Sequence, residues 1–145
     1  MIIVGIDPDG NKHGVAIYVN RVLERLQMWD TIEIVTWLQS QEMRGKKIKF
    51  SIENVVKQKF SYGRNTGHGA RVDRNIAMKV GKCQQAQTEL MRWLDHLKIE
   101  YELHAPQRGN WAKNKEQFEL STKWKGRSNA DTRSAAFFGF LATRS

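Results

Sequence analysis

Two short apolar segments of the chain, IIVGID and KKIKFSIEN, each run into an acidic residue. The first, Ile2 to Ile6, is too short for a helix and rich in β-branched residues, which indicates a buried strand that stops at Asp7. The second, Lys46 to Asn54, alternates apolar with polar residues, which indicates a strand with Glu53 at its end. Each acid alone has an ordinary explanation, because aspartate often opens a turn and a glutamate at a strand end is often solvated.

The segments around these strands predict the first half of the fold. The turn DPDG leads into Gly14 to Val19 as the second strand of a hairpin, and Val22 to Met28 is expected to pair with it as a third strand. Asp30 and Glu33 have the spacing of a capping box at the start of a helix, which we expect to continue to Gly45.

The second half predicts more helix than strand. Apolar residues at helical spacing indicate a long helix from Asn75 to Leu97, with Cys83 as a small core residue on its apolar stripe. A short strand, Ile99 to Leu103, precedes a basic helix over Trp111 to Thr122 and a final helix capped by Asn129. This order predicts an α/β fold with a mixed five-stranded sheet, its first three strands antiparallel, and helices on both faces.

Composition limits the function classes. The chain of 145 residues is expected to form one domain, residues 1–145, and its formal net charge of +9 favours a polyanionic partner, most commonly a nucleic acid. No apolar run is long enough to span a membrane, and the N-terminal run stops against an acid, so neither a membrane partner nor a signal peptide is expected. A single cysteine excludes a disulfide framework and favours the cytoplasm. The histidines lack the spacing of a structural zinc site.

A third acid, Asp131, lies in the first turn of the last predicted helix, where it also interacts favourably with the helix dipole. If the first and fourth strands are parallel neighbours, Asp7 and Glu53 meet at one sheet edge and the helix adds Asp131. Three clustered carboxylates repel one another unless hard cations lie between them, and oxygen ligands suit Mg²⁺ or Mn²⁺. Two such ions about 4 Å apart are the arrangement that cuts phosphodiesters by in-line attack.

Three motifs carry a family resemblance: GIDPD with its hairpin, SIENVV, and NADTRSAAFFGFL. Together they resemble the RuvC family of Holliday-junction resolvases, a branch of the ribonuclease H-like superfamily, and the resemblance covers nearly the whole chain in element order. Family members usually read GIDPG, where this chain has Asp9, and carry two acids three residues apart in the final helix. One alignment places Asp131 at the first of these acids and Ser134 at the second. A shifted alignment places Asp131 at the second and Ser128 at the first.

The resemblance implies a ribonuclease H-like fold and a metal-dependent endonuclease that resolves Holliday junctions or other branched DNA by paired nicks, in DNA recombination and repair. It implies two divalent ions, Mg²⁺ or Mn²⁺, held by Asp7, Glu53 and Asp131, with Asp7 bridging both and Ser134 as a weak or water-mediated ligand. It also implies a homodimer. The expected compartment is the cytoplasm, or the host cytoplasm if the chain is phage-encoded. No nucleotide cofactor is expected, because no complete phosphate-loop pattern follows the first strand.

A long cationic loop is predicted from Lys57 to Arg74. The family carries a mobile loop here whose aromatic tip meets the junction centre. In this chain Phe60 and Tyr62 occupy the comparable stretch. Tyr62 is expected to be exposed, whereas Phe60 either contacts DNA or packs beneath the loop. The family also has a lysine that approaches the scissile phosphate. Lys113 and Lys115 both lie in the comparable region, with Lys115 preferred because KEQF resembles the family's pattern, although a solvated helix face would look the same. The cations expected to contact DNA are Lys57, Lys59, Arg64, Arg71, Arg74 and Lys113.

Two alternative functions remain at this stage. In the first, loss of the fourth acid leaves a branched-DNA-binding protein of the same fold with weak or no cleavage. In the second, the chain is a ribonuclease H-like nuclease that acts on RNA/DNA hybrid or flapped duplex. A cationic loop with aromatic residues favours branched DNA, because aromatic rings stack on unpaired bases.

Overall fold

The computed structural model describes residues 1–56 and 70–144 of the chain. Its strands are β1 (Ile2–Asp7), β2 (His13–Val19), β3 (Val22–Trp29), β4 (Ile48–Glu53) and β5 (Glu100–His104). They form one sheet in the order β3-β2-β1-β4-β5. The β1–β2 and β2–β3 pairs are antiparallel, whereas the β1–β4 and β4–β5 pairs are parallel. The predicted mixed sheet is confirmed, and the condition set for Asp7 and Glu53, that the first and fourth strands are parallel neighbours, holds.

Helices cover both faces of this sheet. They are α1 (Thr31–Leu38), α2 (Ala70–His96), α3 (Lys115–Thr122) and α4 (Ala130–Thr143), with 3₁₀ turns at Gln41–Met43 and Trp111–Lys113. One core cluster joins α1 and the C-terminal half of α2 to the sheet, and a second joins α3, α4 and the Trp111–Lys113 turn to the opposite face. No helix within residues 1–56 and 70–144 is long and apolar enough to cross a membrane.

Alternation along β1 and β4 decides which face each side chain reaches. Ile6 and Ile52 belong to the core cluster that includes α1 and α2, as do the apolar residues two and four positions before each. Since successive strand side chains point to opposite faces, the residue after each of them, Asp7 and Glu53, points toward α4. Ser51 has the same orientation, because its hydroxyl donates a hydrogen bond to a backbone oxygen of α4.

Helix α4 lies unusually close to the sheet. Gly5 provides the space, since a Cβ atom there would overlap the backbone of α4 at Ala135 and at Gly139. Two fully buried hydroxyls then fasten the helix: Tyr18 Oη donates to the carbonyl of Ala136 at 2.7 Å, and Ser51 Oγ donates to the carbonyl of Phe138 at 2.6 Å. These contacts fix the helix along and across β1, β2 and β4.

Both predicted helix starts with polar caps are confirmed, but two helix extents are wrong. Helix α1 ends at Leu38 rather than Gly45, and the Ser40 hydroxyl donates to the carbonyl of Trp37 at 2.6 Å just beyond that end. The basic helix predicted over residues 111–122 is interrupted at Asn114, whose backbone is not helical and whose side chain accepts from the Gln117 amide to start α3. Local polar caps therefore interrupt segments that the spacing of apolar residues alone predicts as single helices.

Helix α2 begins at Ala70, five residues before the predicted Asn75, so the last part of the predicted loop is helical. Its 27 residues span about 40 Å, whereas a six-residue strand such as β4 spans about 20 Å. The C-terminal half packs on the sheet and buries Leu90 and Leu94, while Ile76 is 38% exposed and Cys83 is only half-buried. The prediction that Cys83 is a core residue is wrong because the sheet does not extend beneath this part of the helix.

The contact between Gly5 and α4 gives a direct test of the fold. We expect Gly5→Ala to lower the free energy of unfolding by about 3 kcal/mol or more, because the new methyl group displaces a helix backbone rather than a flexible side chain. Gly81→Ala is the matched control, since Gly81 lies on exposed α2 with nothing near the added methyl group, and it should stabilise by up to about 1 kcal/mol. Urea denaturation measures both. Equal stability of Gly5→Ala and wild type would contradict the close packing.

Candidate functional site

The ends of β1 and β4 bring two acids together. The parallel register pairs Ile6 with Ile52, so Asp7 and Glu53 are the next residues on neighbouring strands, which lie about 4.8 Å apart. Both side chains point toward α4, as the alternation requires. This juxtaposition is the one that the sequence predicts for the sheet edge.

The first turn of α4 brings Asp131 to the same edge. Asn129 caps the helix: its side chain accepts from the Thr132 amide at 2.8 Å, and the Thr132 hydroxyl accepts from the Asn129 amide at 2.9 Å. Gly14 pairs with Asp7 in the hairpin, and a Cβ atom at Gly14 would overlap the Asp131 carbonyl group. The backbone of Asp131 therefore rests on β2 directly beside Asp7.

Ser134 completes the cluster. It lies one helical turn after Asp131 on the same face of α4, is 2% exposed, and its hydroxyl hydrogen-bonds the Asp7 carboxyl group. Ser128, the alternative partner from the sequence, instead accepts a hydrogen bond from Arg133 Nη1 at 3.1 Å. The structure thus places Ser134, and not Ser128, against Asp7.

The charged groups that act on Asp7 are other acids. Burial raises its pKa to about 8, helped by the negative charges of Glu53 and Asp131 and, to a lesser degree, of Asp9, while the Ser134 hydrogen bond opposes the rise. Burial also raises the pKa of Glu53. In the part of the chain that the structure describes, no cation forms an ion pair with Asp7, Glu53 or Asp131.

The donors at this edge suit a hard divalent cation in type. They are carboxylate and hydroxyl oxygens, and a cation among them would relieve the repulsion that raises the pKa of Asp7. No three described His, Cys, Asp or Glu side chains converge closely enough to form a ready-made metal cage. Asp131 is exposed. The donors fit a divalent ion by their chemistry, although the described side chains do not enclose one.

Two glutamines of α2 hold the chain just after Glu53. Gln87, which is fully buried, accepts from the amides of Val55 and Val56 at 2.7 and 3.1 Å and donates to Asn54 Oδ1 at 3.2 Å. Gln84 donates to the Val55 carbonyl at 3.2 Å. This contact was not predicted from the sequence, although a glutamine at position 87 on the apolar stripe between positions 83 and 90 is a signal that could have indicated it.

A buried histidine holds the β1–β2 turn. His13 Nδ1 accepts from the Asp9 amide at 3.2 Å, so Nε2 carries the proton and donates to Thr31 Oγ1 at 3.0 Å. Burial lowers the pKa of His13 to about 4, which keeps the ring neutral at physiological pH. Both nitrogens are used, so His13 contributes to the position of the turn rather than to metal binding.

The predicted DNA-contacting residues fall into two groups. Lys113 and Lys115 are exposed at the end of a 3₁₀ turn and at the first residue of α3, and Arg71 and Arg74 are exposed near the start of α2. The charges that act on Asp7 from the described residues are all acidic, so Lys115 is not brought against it. The other predicted contacts, Lys57, Lys59, Phe60, Tyr62 and Arg64, lie outside the described residues.

Arg133 of α4 anchors the Trp111–Lys113 turn. Its Nη2 donates to the Ala112 carbonyl at 2.8 Å and its Nε to the Trp111 carbonyl at 3.3 Å. With the bond to Ser128, all three guanidinium nitrogens are engaged. The arginine therefore holds the turn that carries Lys113 against the helix that carries Asp131.

Comparisons with known structures identify the fold. Thermus thermophilus RuvC in complex with a Holliday junction substrate superposes with a TM-score of 0.58 at 13% identity, covering 99% of this chain and 93% of that one. A second structure of Thermus thermophilus RuvC gives a TM-score of 0.57 at 15% identity, covering 99% and 94%. The chain has the RuvC-like, ribonuclease H-like fold. No protein-family model and no curated protein sequence matches it.

The raised pKa of Asp7 predicts how stability depends on pH without metal. Between its ordinary pKa of 3.8 and its folded pKa of about 8, the folded state holds a proton that the unfolded state releases, so stability falls as pH rises through this window. We expect Asp7→Asn to be more stable than wild type at about pH 8 and to show a shallower fall in stability from about pH 6.5 to about pH 8, the upper part of this window.

Urea denaturation in EDTA at several pH values measures this slope. Glu116→Gln, which neutralises an exposed acid of α3, should keep the wild-type slope. Identical slopes for Asp7→Asn and wild type would mean that Asp7 is not destabilised by its acidic neighbours.

Gln87 provides a second test of the site's construction. Gln87→Leu leaves the Val55 and Val56 amides without their acceptor, which should cost about 2–3 kcal/mol of stability and speed hydrogen exchange at those two amides. Gln85→Leu, the same change at an exposed position of α2, should leave both unchanged. Native-state exchange followed by NMR measures the effect, and wild-type protection of both amides in Gln87→Leu would contradict the assigned role.

Proposed function

We propose that the chain is a metal-dependent endonuclease that cuts branched DNA, with the four-way junction as its preferred substrate. The supporting observation is that Asp7 and Glu53 end neighbouring parallel strands beside the first turn of α4, which carries Asp131, in a sheet with the RuvC-like fold. No cation among the described residues forms an ion pair with any of the three acids. A buried acid with this environment is a frequent sign of a functional site. Residues 1–145 act as one nuclease domain in this proposal.

The proposed roles follow from the donor positions. Asp7, Glu53 and Asp131 would hold two divalent ions, Mg²⁺ or Mn²⁺, with Asp7 between them and Ser134 as a weak or water-mediated ligand. Such ions supply activation of water and stabilisation of the leaving oxygen. Asp7 must be ionised to act as a ligand, so its proton is released on loading, and the Ser134 hydrogen bond favours the ionised form.

The remaining surface would bind the substrate. The formal net charge of +9 supplies affinity for DNA that depends on salt rather than on base sequence. Arg71, Arg74 and Lys113 are proposed to contact phosphates, and Lys115 is proposed to approach the scissile phosphate once DNA is bound. A homodimer would place two sites on one junction and account for paired nicks. The structure of RuvC with a Holliday junction supports this choice of substrate by analogy of fold.

A second function has one observation in its favour. Ser134 occupies the position against Asp7 where the resemblance leads us to expect a carboxylate, so the chain has one negative ligand fewer than that pattern. A protein of this fold with weaker metal binding would hold branched DNA and cut it slowly or not at all. The cleavage assay below separates the two functions, because such a protein binds the junction without producing nicks.

The test is cleavage of a labelled four-way junction in Mg²⁺ or Mn²⁺. We expect wild type to nick the junction and Asp7→Asn to lose at least about a hundredfold in rate, since even outer-shell partners of metal ligands contribute 10–100-fold. Junction binding in EDTA should change little, because the basic surface is intact. Glu116→Gln serves as the charge-matched control and should cut normally.

Two results would contradict the proposal. Binding by wild type without nicks in either metal would favour the binding protein. Equal loss of binding and of cleavage in Asp7→Asn would mean that Asp7 serves the substrate surface rather than the chemistry.

A further inference from the structure

A cavity of about 320 Å³ opens between the β1–β2 turn and the N-terminal half of α2. Its wall includes Asp9 and Gly10 from the turn and Asn75, Lys79, Lys82 and Cys83 from the helix. These helix residues lie on the part of α2 that extends beyond the sheet. Neither lysine is among the residues that the sequence analysis assigns to DNA.

The turn and the helix are in direct contact at this cavity. A Cβ atom on Gly10 would lie 2.9 Å from Cβ of Lys82, so the turn rests against the base of the lysine side chain. The turn itself is held from the other side by the hydrogen bond from the Asp9 amide to His13. These two contacts fix the shape of the cavity wall and the position of the Lys82 Cβ atom.

The cavity adjoins the acidic cluster. The Cys83 thiol experiences the negative charges of Asp9 and Asp7 and the positive charge of Lys79, as well as a backbone hydrogen bond with Gly10. One half-buried thiol is thus near both a proposed metal ligand and a cavity lysine. Asp9, which lines the cavity, lies two residues after Asp7, so the cavity is an immediate neighbour of that proposed ligand.

The charges on the wall favour an anion. Lys79 and Lys82 are exposed and form no ion pair with any acid in the described ranges. Asp9 is the opposing charge, and its carboxylate accepts from the Asn11 amide at 2.9 Å. The cavity wall therefore carries two lysines and one aspartate, and its net charge is positive. It lies beside the acidic cluster at Asp7, which by itself repels DNA. The amide of Asn75 adds a neutral hydrogen-bond donor.

We propose that this cavity binds a backbone phosphate of DNA next to the phosphate that is cut, through the ammonium groups of Lys79 and Lys82. The inference rests on the proposed nuclease function and adds a phosphate subsite to it. Compact lysine charges at the wall recognise the phosphate without reading a base. The subsite would set where the strand lies relative to Asp7 and so contribute to the position of the nick.

The first experiment measures junction binding in EDTA over a range of salt concentrations. We expect Lys79→Ala with Lys82→Ala to weaken binding about tenfold and to reduce the slope of log affinity against log salt by about 1 to 2, because both lysine contacts to the phosphate are lost. The control is Lys46→Ala with Lys47→Ala, which removes the same charge at the opposite end of the sheet and should have a much smaller effect. Asp9→Asn should change affinity in the opposite direction and tighten binding.

The second experiment uses Cys83, the only cysteine of the chain, as a reporter inside the cavity. We expect a saturating four-way junction to slow the reaction of Cys83 with N-ethylmaleimide several-fold in wild type. Protection should be weaker in the Lys79→Ala, Lys82→Ala double variant at DNA concentrations that saturate it. Mass spectrometry follows the modification.

The outcomes separate the two proposals. If wild type neither binds nor cuts the junction, the nuclease proposal and the subsite both fail. If wild type cuts the junction but the two lysine pairs behave alike and Cys83 is not protected, only the subsite is overturned. An unchanged affinity in Asp9→Asn together with equal salt slopes would also overturn it.

Discussion

The close approach of α4 to the sheet is the contact on which the site depends. Gly5 and Gly14 leave room for the helix backbone on β1 and β2, and the buried hydroxyls of Tyr18 and Ser51 fix its register. Because a rigid helix is placed by these contacts, Asp131 and Ser134 reach Asp7 although more than a hundred residues separate them along the chain. If α4 lay farther from the sheet by the thickness of one side chain, Asp131 would no longer lie beside Asp7 and Glu53.

This arrangement carries an electrostatic cost. Asp7 is buried beside two other acids, and its raised pKa records how strongly that environment disfavours its charge. A divalent cation would relieve this repulsion, and the excess of basic residues elsewhere favours a polyanionic partner.

Helix α2 joins two environments. Its C-terminal half is core, and its glutamines hold the chain after Glu53, while its N-terminal half extends past the sheet with half-buried Cys83 and exposed lysines beside the β1–β2 turn. Helical spacing predicts one continuous apolar stripe here, and the stripe does run the length of the helix. The stripe is buried only where the sheet, whose strands are shorter than the helix, lies beneath it. The helical periodicity of one segment does not reveal which part of the stripe the sheet covers.

The strand segments, the antiparallel pairing of the first three strands and the helix caps follow from the sequence, because alternation and capping depend on neighbouring residues. The parallel pairing of β1 with β4, which brings Asp7 beside Glu53, entered the sequence reasoning as a condition and is decided by the tertiary structure. The breaks at Leu38 and Asn114, the choice of Ser134 over Ser128, the role of Gln87 and the lysine-lined cavity depend on which distant segments touch. Only tertiary packing decides them, since a side chain's burial and partners belong to the surface it meets and not to its own stretch of chain.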